Sequence, residues 1–174
     1  MPFNPVHFIP ASKKDDILAL PVQSIAAAGH EQNAGTNHWC LFARVSPTIA
    51  IRIDCQPSYS VPSTILPGGS KGNIIISWLN SVESPDIIKT VDLAIRSNLL
   101  VRDVYNVLLG HDRHKYEFDS NGVGCRYWVT GQLDLLQQQQ ILVNPQEVAM
   151  AKETIQKLWP EATPLALDQG AYYQ

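Results

Sequence analysis

Residues 38–55, HWCLFARVSPTIAIRIDC, hold two runs of alternating side chains separated by Ser46-Pro47. Apolar, β-branched and aromatic residues at period two, bounded by a turn, predict a hairpin with strands over 38–45 and 49–55. Successive side chains on a strand point to opposite faces. Trp39, Leu41, Ala43 and Val45 therefore share one face, and His38, Cys40, Phe42 and Arg44 the other. Beyond the turn, Ile49, Ile51, Ile53 and Cys55 share a face, and Ala50, Arg52 and Asp54 share the opposite one. A sheet buries one apolar face, so the two apolar sets belong on the same side, and this sets the parity of the register. Asp54 then lies on the face of His38, directly across or one diagonal step away, where cross-strand side chains reach each other. A carboxylate bonded to one imidazole nitrogen sets the tautomer and supports the imidazolium form. The same parity separates Cys40 from Cys55 and argues against a disulfide between them.

Working outward, residues 17–28, ILALPVQSIAAA, are apolar and read as either strand or helix, and residues 29–37 read as a polar loop. Residues 56–72, with Pro57, Pro62, Pro67 and Gly68-Gly69, read as a long loop. Residues 73–79, NIIISWL, and 88–96, IKTVDLAIR, read as two more strands. Ser97 or Asn98 caps a helix over about 99–109, striped by Leu100, Val104, Val107 and Leu108 and ended by Gly110. A polar connector over 111–121 includes a short strand at 116–118. A second helix starts at Gly124 or Cys125 and runs to about Gln140, with Cys125, Trp128, Val129, Leu133 and Leu136 on its apolar stripe. A third starts with Asn144 as cap, Pro145 at the first position and Glu147 reaching back, and stops at Pro160. Trp78, Trp128 and Trp159 fill the core.

Strands come first and helices follow. This order predicts one α+β domain over residues 1–174: an antiparallel sheet of about four to six strands with about three helices packed on one face. Residues 1–16 and 161–174 are expected to be extended or frayed ends. The 174 residues, 45 % hydrophobic and 17 % charged, suit one globular core. A net charge of −3 without a basic block offers no phosphate-neutralising footprint, so a nucleic-acid partner is not expected. No apolar run approaches the ~18 residues that would span a bilayer. The opening MPFNPVHFIP lacks the basic and continuous apolar regions of a secretory signal. Three cysteines without a CxxC pair suggest free thiols in a cytoplasmic setting.

The chemistry concentrates at Gly122-Val123-Gly124-Cys125-Arg126-Tyr127-Trp128. Glycines before a helix permit tight turns and close approach of other backbone. They leave Cys125 in the first helical turn, where free N–H groups and the dipole favour a thiolate, more so beside a histidine. Those N–H groups also suit an oxyanion. Cys125 has the features of a nucleophile and His38–Asp54 those of its base pair. Arg126, Tyr127 and Trp39, which flank these positions, are candidates for substrate binding. The plainer readings are a buried small hydrophobe for Cys125, a structural histidine for His38 and a turn former for Asp54. His111 and His114, three apart, have a spacing that zinc accepts, but two ligands make no site, so they read as a solvated turn. His30 reads as surface-exposed, with a place on the active-site rim as the alternative. No metal or cofactor is expected.

The pattern resembles the circularly permuted branch of the papain-like cysteine hydrolases, which includes the lecithin retinol acyltransferase family and the PPPDE deubiquitinase-like peptidases. Asn37-His38-Trp39-Cys40-Leu41-Phe42 is similar to their early histidine strand, and Gly124-Cys125-Arg126-Tyr127-Trp128 to their later cysteine helix. Gly124 stands where those hydrolases often have Asn. Over residues 20–160 the chain also resembles a family of small fungal proteins of unknown function that share NHW, a strand ending in Asp, and GxGCRxW. The resemblance implies a permuted papain-like fold with Cys125 as nucleophile, His38 as base and Asp54 as orienter. The expected activity is acyl hydrolysis or transfer on an amide, ester or thioester of a small molecule, such as a secondary metabolite, or of a peptide. A tailoring enzyme, a cyclase or isomerase using His38–Asp54 for acid–base work, and an inactive binding module remain as alternatives.

Overall fold

The computed structural model describes residues 1–33, 35–81 and 84–174. Among the described residues the chain runs β1 (Val6–Ile9), α1 (Lys14–Leu18), β2 (Ser24–His30), β3 (His38–Arg44), β4 (Ala50–Pro62), β5 (Ser70–Leu79) and β6 (Ile87–Leu93). It continues with α2 (Val101–Gly110), β7 (Tyr116–Phe118), α3 (Cys125–Gln138), α4 (Pro145–Ile155), β8 (Lys157–Leu158), β9 (Thr163–Pro164) and β10 (Ala171–Tyr172). The fold is α+β. Strands lie in the order β10-β7-β5-β4-β3-β2-β6, with β1 also on β5, while β8 and β9 form a separate pair. Every pairing is antiparallel except β1 on β5, where Val6 lies across from Ile74.

The hairpin has the parity that burial of its apolar side chains demands. Leu41 lies across from Ile53 and Ala43 from Ile51. Trp39, Leu41, Ala43, Ile51, Ile53 and Cys55 then join Ile74 and Ile76 of β5 under the helices in the main core. Each such fully buried large aliphatic side chain contributes about 1.5–3 kcal/mol of transfer free energy. The opposite face carries a smaller cluster of Ala26, Ala28, Cys40, Phe42 and Ala50. Cys40 and Cys55 are on opposite faces, and all three cysteines are free thiols. Gly29 lies across from Trp39, and a Cβ there would meet the indole at 2.8 Å, so the bare backbone lets the Trp39 ring lie against β2.

Several boundaries differ from the expectation. The large sheet has eight strands rather than four to six. Most of the expected loop 56–72 is strand, because β4 continues through Pro57, irregularly, to Pro62 and β5 begins at Ser70. A bulge absorbs the prolines, and Tyr59 takes a positive φ of 55° there. The remaining loop is wrapped on the buried Glu117 carboxylate. It accepts bonds from Thr64 N and Oγ1, both at 2.7 Å, from Ile65 N at 2.9 Å and from Leu66 N at 3.3 Å.

The stretch 17–28 divides between the end of α1 and the start of β2. Within the two ends, β1 pairs with β5, β9 with β8 and β10 with β7, while residues 1–5 and 165–170 have no regular secondary structure. β6 ends at Leu93 instead of running to 96. The first long helix starts after Leu100, whose N–H donates to Asp103 Oδ2 at 2.8 Å, so neither Ser97 nor Asn98 is its cap. Asn144 caps α4 as expected, but Glu147 accepts from Ala94 N at 2.7 Å instead of reaching back, which ties the helix to the end of β6. Trp128 is fully buried, whereas Trp78 and Trp159 are half-buried at the edge of the core.

Candidate active site

The turn before α3 places Cys125. Gly124 has φ of 152°, a region that side chains rarely enter, and a Cβ there would lie 3.2 Å from the Tyr116 hydroxyl. That hydroxyl donates to Gly124 O at 2.7 Å and fixes the turn. The Gly124 cap has no side chain, so the first N–H groups of α3 have no side-chain acceptor from it. Cys125 is 6 % exposed, and its thiol donates to Asn37 O at 3.8 Å. Asn37 in turn is tied on both sides of its amide: Nδ2 donates to Trp159 O at 3.1 Å, and Trp159 N donates to Oδ1 at 2.7 Å. The loop end that leads into β3 is therefore held to the segment after α4.

His38 opens β3. Continuing the hairpin register puts Asp54 across from Cys40, one diagonal step from His38, and the alternation argument allowed this position. His38 Nε2 is 2.6 Å from Asp54 Oδ1, and Gln56 Nε2 donates to Asp54 Oδ2 at 2.6 Å. Asp54 is 2 % exposed. Burial works to lower the pKa of His38. The bond to Asp54, a bond with Cys125 and the charges of both partners outweigh it, and the imidazole is raised to about 10. Burial works to raise Asp54, but its bond to His38, the His38 charge, the Gln56 bond and the Arg52 charge hold the carboxyl below its ordinary range. With Nε2 engaged by Asp54, Nδ1 is the nitrogen left for the thiol.

Cys125 and His38 line one cavity of about 200 Å³. Gly122 and Val123 form its wall on the helix side, Gln56, Pro57 and Tyr59 on the β4 side, and Gln32 and Thr36 at the loop before β3. A Cβ on Gly122 would meet the Tyr59 hydroxyl at 2.4 Å, so that glycine leaves room for the phenol. Apart from His38, Cys125 and the Tyr59 phenol, the lining residues carry no titratable side chain.

The three residues expected to bind substrate do not line this cavity. Trp39 is fully buried on the core face, one residue out of phase with His38. Arg126 is 1 % exposed, and its guanidinium is taken up by backbone: Nε donates to Ile155 O at 2.8 Å, and the terminal nitrogens to Ala166 O at 2.7 Å and Leu165 O at 2.6 Å. It ties α3 to α4 and the C-terminal segment. Tyr127 is half-buried against the core.

His30 is 7 % exposed rather than at the surface. It lies across from His38, with Nε2 3.2 Å from Cys40 Sγ and Nδ1 3.2 Å from Asp86 Oδ2, and burial lowers its pKa against the pull of Asp86. His111 is exposed with Nδ1 on Val107 O at 2.9 Å, whereas His114 is half-buried, so the solvated-turn expectation holds for the first alone. Among the described residues no cluster of three or more His, Cys, Asp or Glu is arranged to hold a metal ion. Sequence reasoning missed Gln56, Asn37 and Tyr59. Alternation extended by two residues would have found Gln56, but Asn37 and Tyr59 depend on contacts with distant segments.

An α+β protein with a cysteine at a helix start and a His–Asp pair across two paired strands is the class that fold and geometry define. Residues 22–173 match the family described as Domain of unknown function (DUF7770), and the chain belongs to that family. No curated protein and no solved structure matches the chain. No helix among the described residues is long and apolar enough to cross a membrane.

Proposed function

We propose that this protein is a cysteine-dependent acyl hydrolase or acyl transferase with Cys125 as nucleophile, His38 as its proton partner and Asp54 as the orienter of His38. The observation that carries the reading is the shared cavity: Cys125 and His38 line it together, and the 2.6 Å bond from Asp54 holds the imidazole from behind. The resemblance to permuted papain-like hydrolases points the same way. A histidine raised to about 10 is protonated at neutral pH, so it acts first as the acid toward the leaving group.

The steps follow from these roles. The Cys125 sulfur, with His38 as its proton partner, attacks the acyl carbon and forms a C–S bond. The carbonyl electrons move to oxygen, which meets the free N–H groups at the start of α3. They return as the bond to the amine, alcohol or thiol breaks, and His38 gives that group its proton. Water, or a second nucleophile in a transfer, then gives a proton to His38 and attacks the thioester. The C–S bond breaks with its electron pair returning to sulfur, the acyl product leaves, and the Cys125–His38 pair is left holding the one proton it began with. The rest of the lining carries no charged side chain, which suits a neutral acyl group.

The test is exposure of the whole chain to p-nitrophenyl acetate, read by p-nitrophenolate release and intact mass. The expected result is an acetyl adduct on Cys125 that Cys125→Ser abolishes and His38→Ala slows at least a hundredfold. Labelling of Cys125 no faster than that of Cys40 and Cys55 would refute the proposal. One observation favours acid–base chemistry instead: the thiol is nearly buried and bonded to Asn37 O. In that reading Cys125→Ser keeps turnover and His38→Ala loses it.

A further inference from the structure

A second cavity, of about 420 Å³, lies between β1, α1 and α2 and shares no lining residue with the cavity at Cys125. Its volume is in the range that accepts small organic ligands. Phe8, Tyr105 and Leu109 supply apolar wall, and the Phe8 and Tyr105 rings are tilted at 58° with centroids 5.6 Å apart. The titratable groups among its lining residues are Lys14, His7, His114 and the Tyr105 phenol, with no carboxylate. Lys14 Nζ stands 5.3 Å from the Phe8 centroid and 6.0 Å from that of Tyr105. Its neighbour Lys13 pairs with Asp16, whereas no ion pair of Lys14 occurs among the described residues. His114 lines the cavity as a half-buried residue. β1 and α1 precede residue 22, where the family match begins, so a segment outside that match completes the cavity against α2 inside it.

We propose that this cavity is a binding site for a small aromatic monoanion, an aryl carboxylate whose ring lies against Phe8 and Tyr105 and whose charge meets Lys14. One permanent cation, with ring contacts but no ion pair among the described residues, calls for one negative charge. The two tilted rings offer edge and face contacts to a flat apolar body.

The probe is 2-naphthoate, titrated into the full chain at pH 7 by calorimetry and by NMR. The expected result is saturable binding that moves the Tyr105 and His114 resonances. Neutral 2-naphthamide binds at least tenfold more weakly, and Lys14→Met, at an exposed position, loses about tenfold in affinity. Leu109→Trp fills the cavity and abolishes binding, and Cys125→Ser leaves it unchanged. The proposal is overturned if naphthoate fails to bind at millimolar concentration, if the amide or Lys14→Met binds equally well, or if the shifts cluster around Cys125.

Discussion

Replacing Asp54 by Asn keeps the size of the side chain and removes the charge that His38 Nε2 meets at 2.6 Å. In the native protein His38 titrates at about 10 because the bonds and charges of Asp54 and Cys125 outweigh burial. A hydrogen bond to a charged group contributes about 1.5–3 kcal/mol. At 1.36 kcal/mol per pKa unit, losing it lowers the His38 pKa by about 1–2 units, to about 8–9. The midpoint belongs to the coupled Cys125–His38–Asp54 group, so the comparison is between the two proteins under one probe.

Stability changes with a definite sign. A histidine raised from 6.5 to about 10 contributes stability that is fully present below pH 6.5 and is lost as pH rises through about 10. Asp54, depressed below 3.8, contributes stability that is present above that value and is lost as pH falls through its folded pKa. The unfolded-state histidine is common to both proteins, so the gap between native protein and Asp54→Asn is widest between about pH 4 and 8 and closes toward pH 10. The assay is an NMR titration of histidine-labelled protein, with urea unfolding at pH 5.5 and 9.5. An unchanged His38 midpoint in Asp54→Asn, or a stability gap that fails to shrink with pH, would refute the reasoning.

Other outcomes follow from the same geometry. Arg126→Met leaves three backbone carbonyls without their donor and costs about 3 kcal/mol in urea unfolding, and Arg126→Lys does not restore it because an ammonium lacks the planar fork. If Arg126 bound substrate instead, stability would hold and only KM would move. Gly29→Ala drives a Cβ to 2.8 Å from the Trp39 ring and costs about 1–3 kcal/mol, visible as a shift in the Trp fluorescence unfolding midpoint. Glu117→Gln loosens the wrapped loop around 64–66 and exposes it to protease, at a cost of about 2 kcal/mol. Burial works to raise Glu117, but its bonds from Thr64, Ile65 and Leu66 hold it below 4.5, so this stabilisation is present above that pH and fades in acid. Equal loop cleavage in both proteins at pH 7 would count against the role of Glu117.

Alternation along HWCLFARVSPTIAIRIDC determined the hairpin, its buried face, the shared face of His38 and Asp54 and the separation of Cys40 from Cys55. It does so because side-chain direction on a strand depends on residue parity alone. The glycines before Cys125 and the Asn144-Pro145 start likewise determined two helix origins, since caps are local chemistry. Sequence also carried the order of strands before helices, and with it the α+β class. Only the tertiary structure decided that Val6–Ile9 completes a parallel edge on β5, because pairing of distant strands leaves no local trace. It decided that Pro57 and Pro62 sit in a bulged strand and not in a loop, because the tolerance of a proline depends on which neighbour faces its missing N–H. It made Arg126 a tie between segments, since that role depends on carbonyls about thirty to forty residues away. It also brought the thiol of α3 to the imidazole of β3, across 87 residues of chain, through packing that no local pattern encodes.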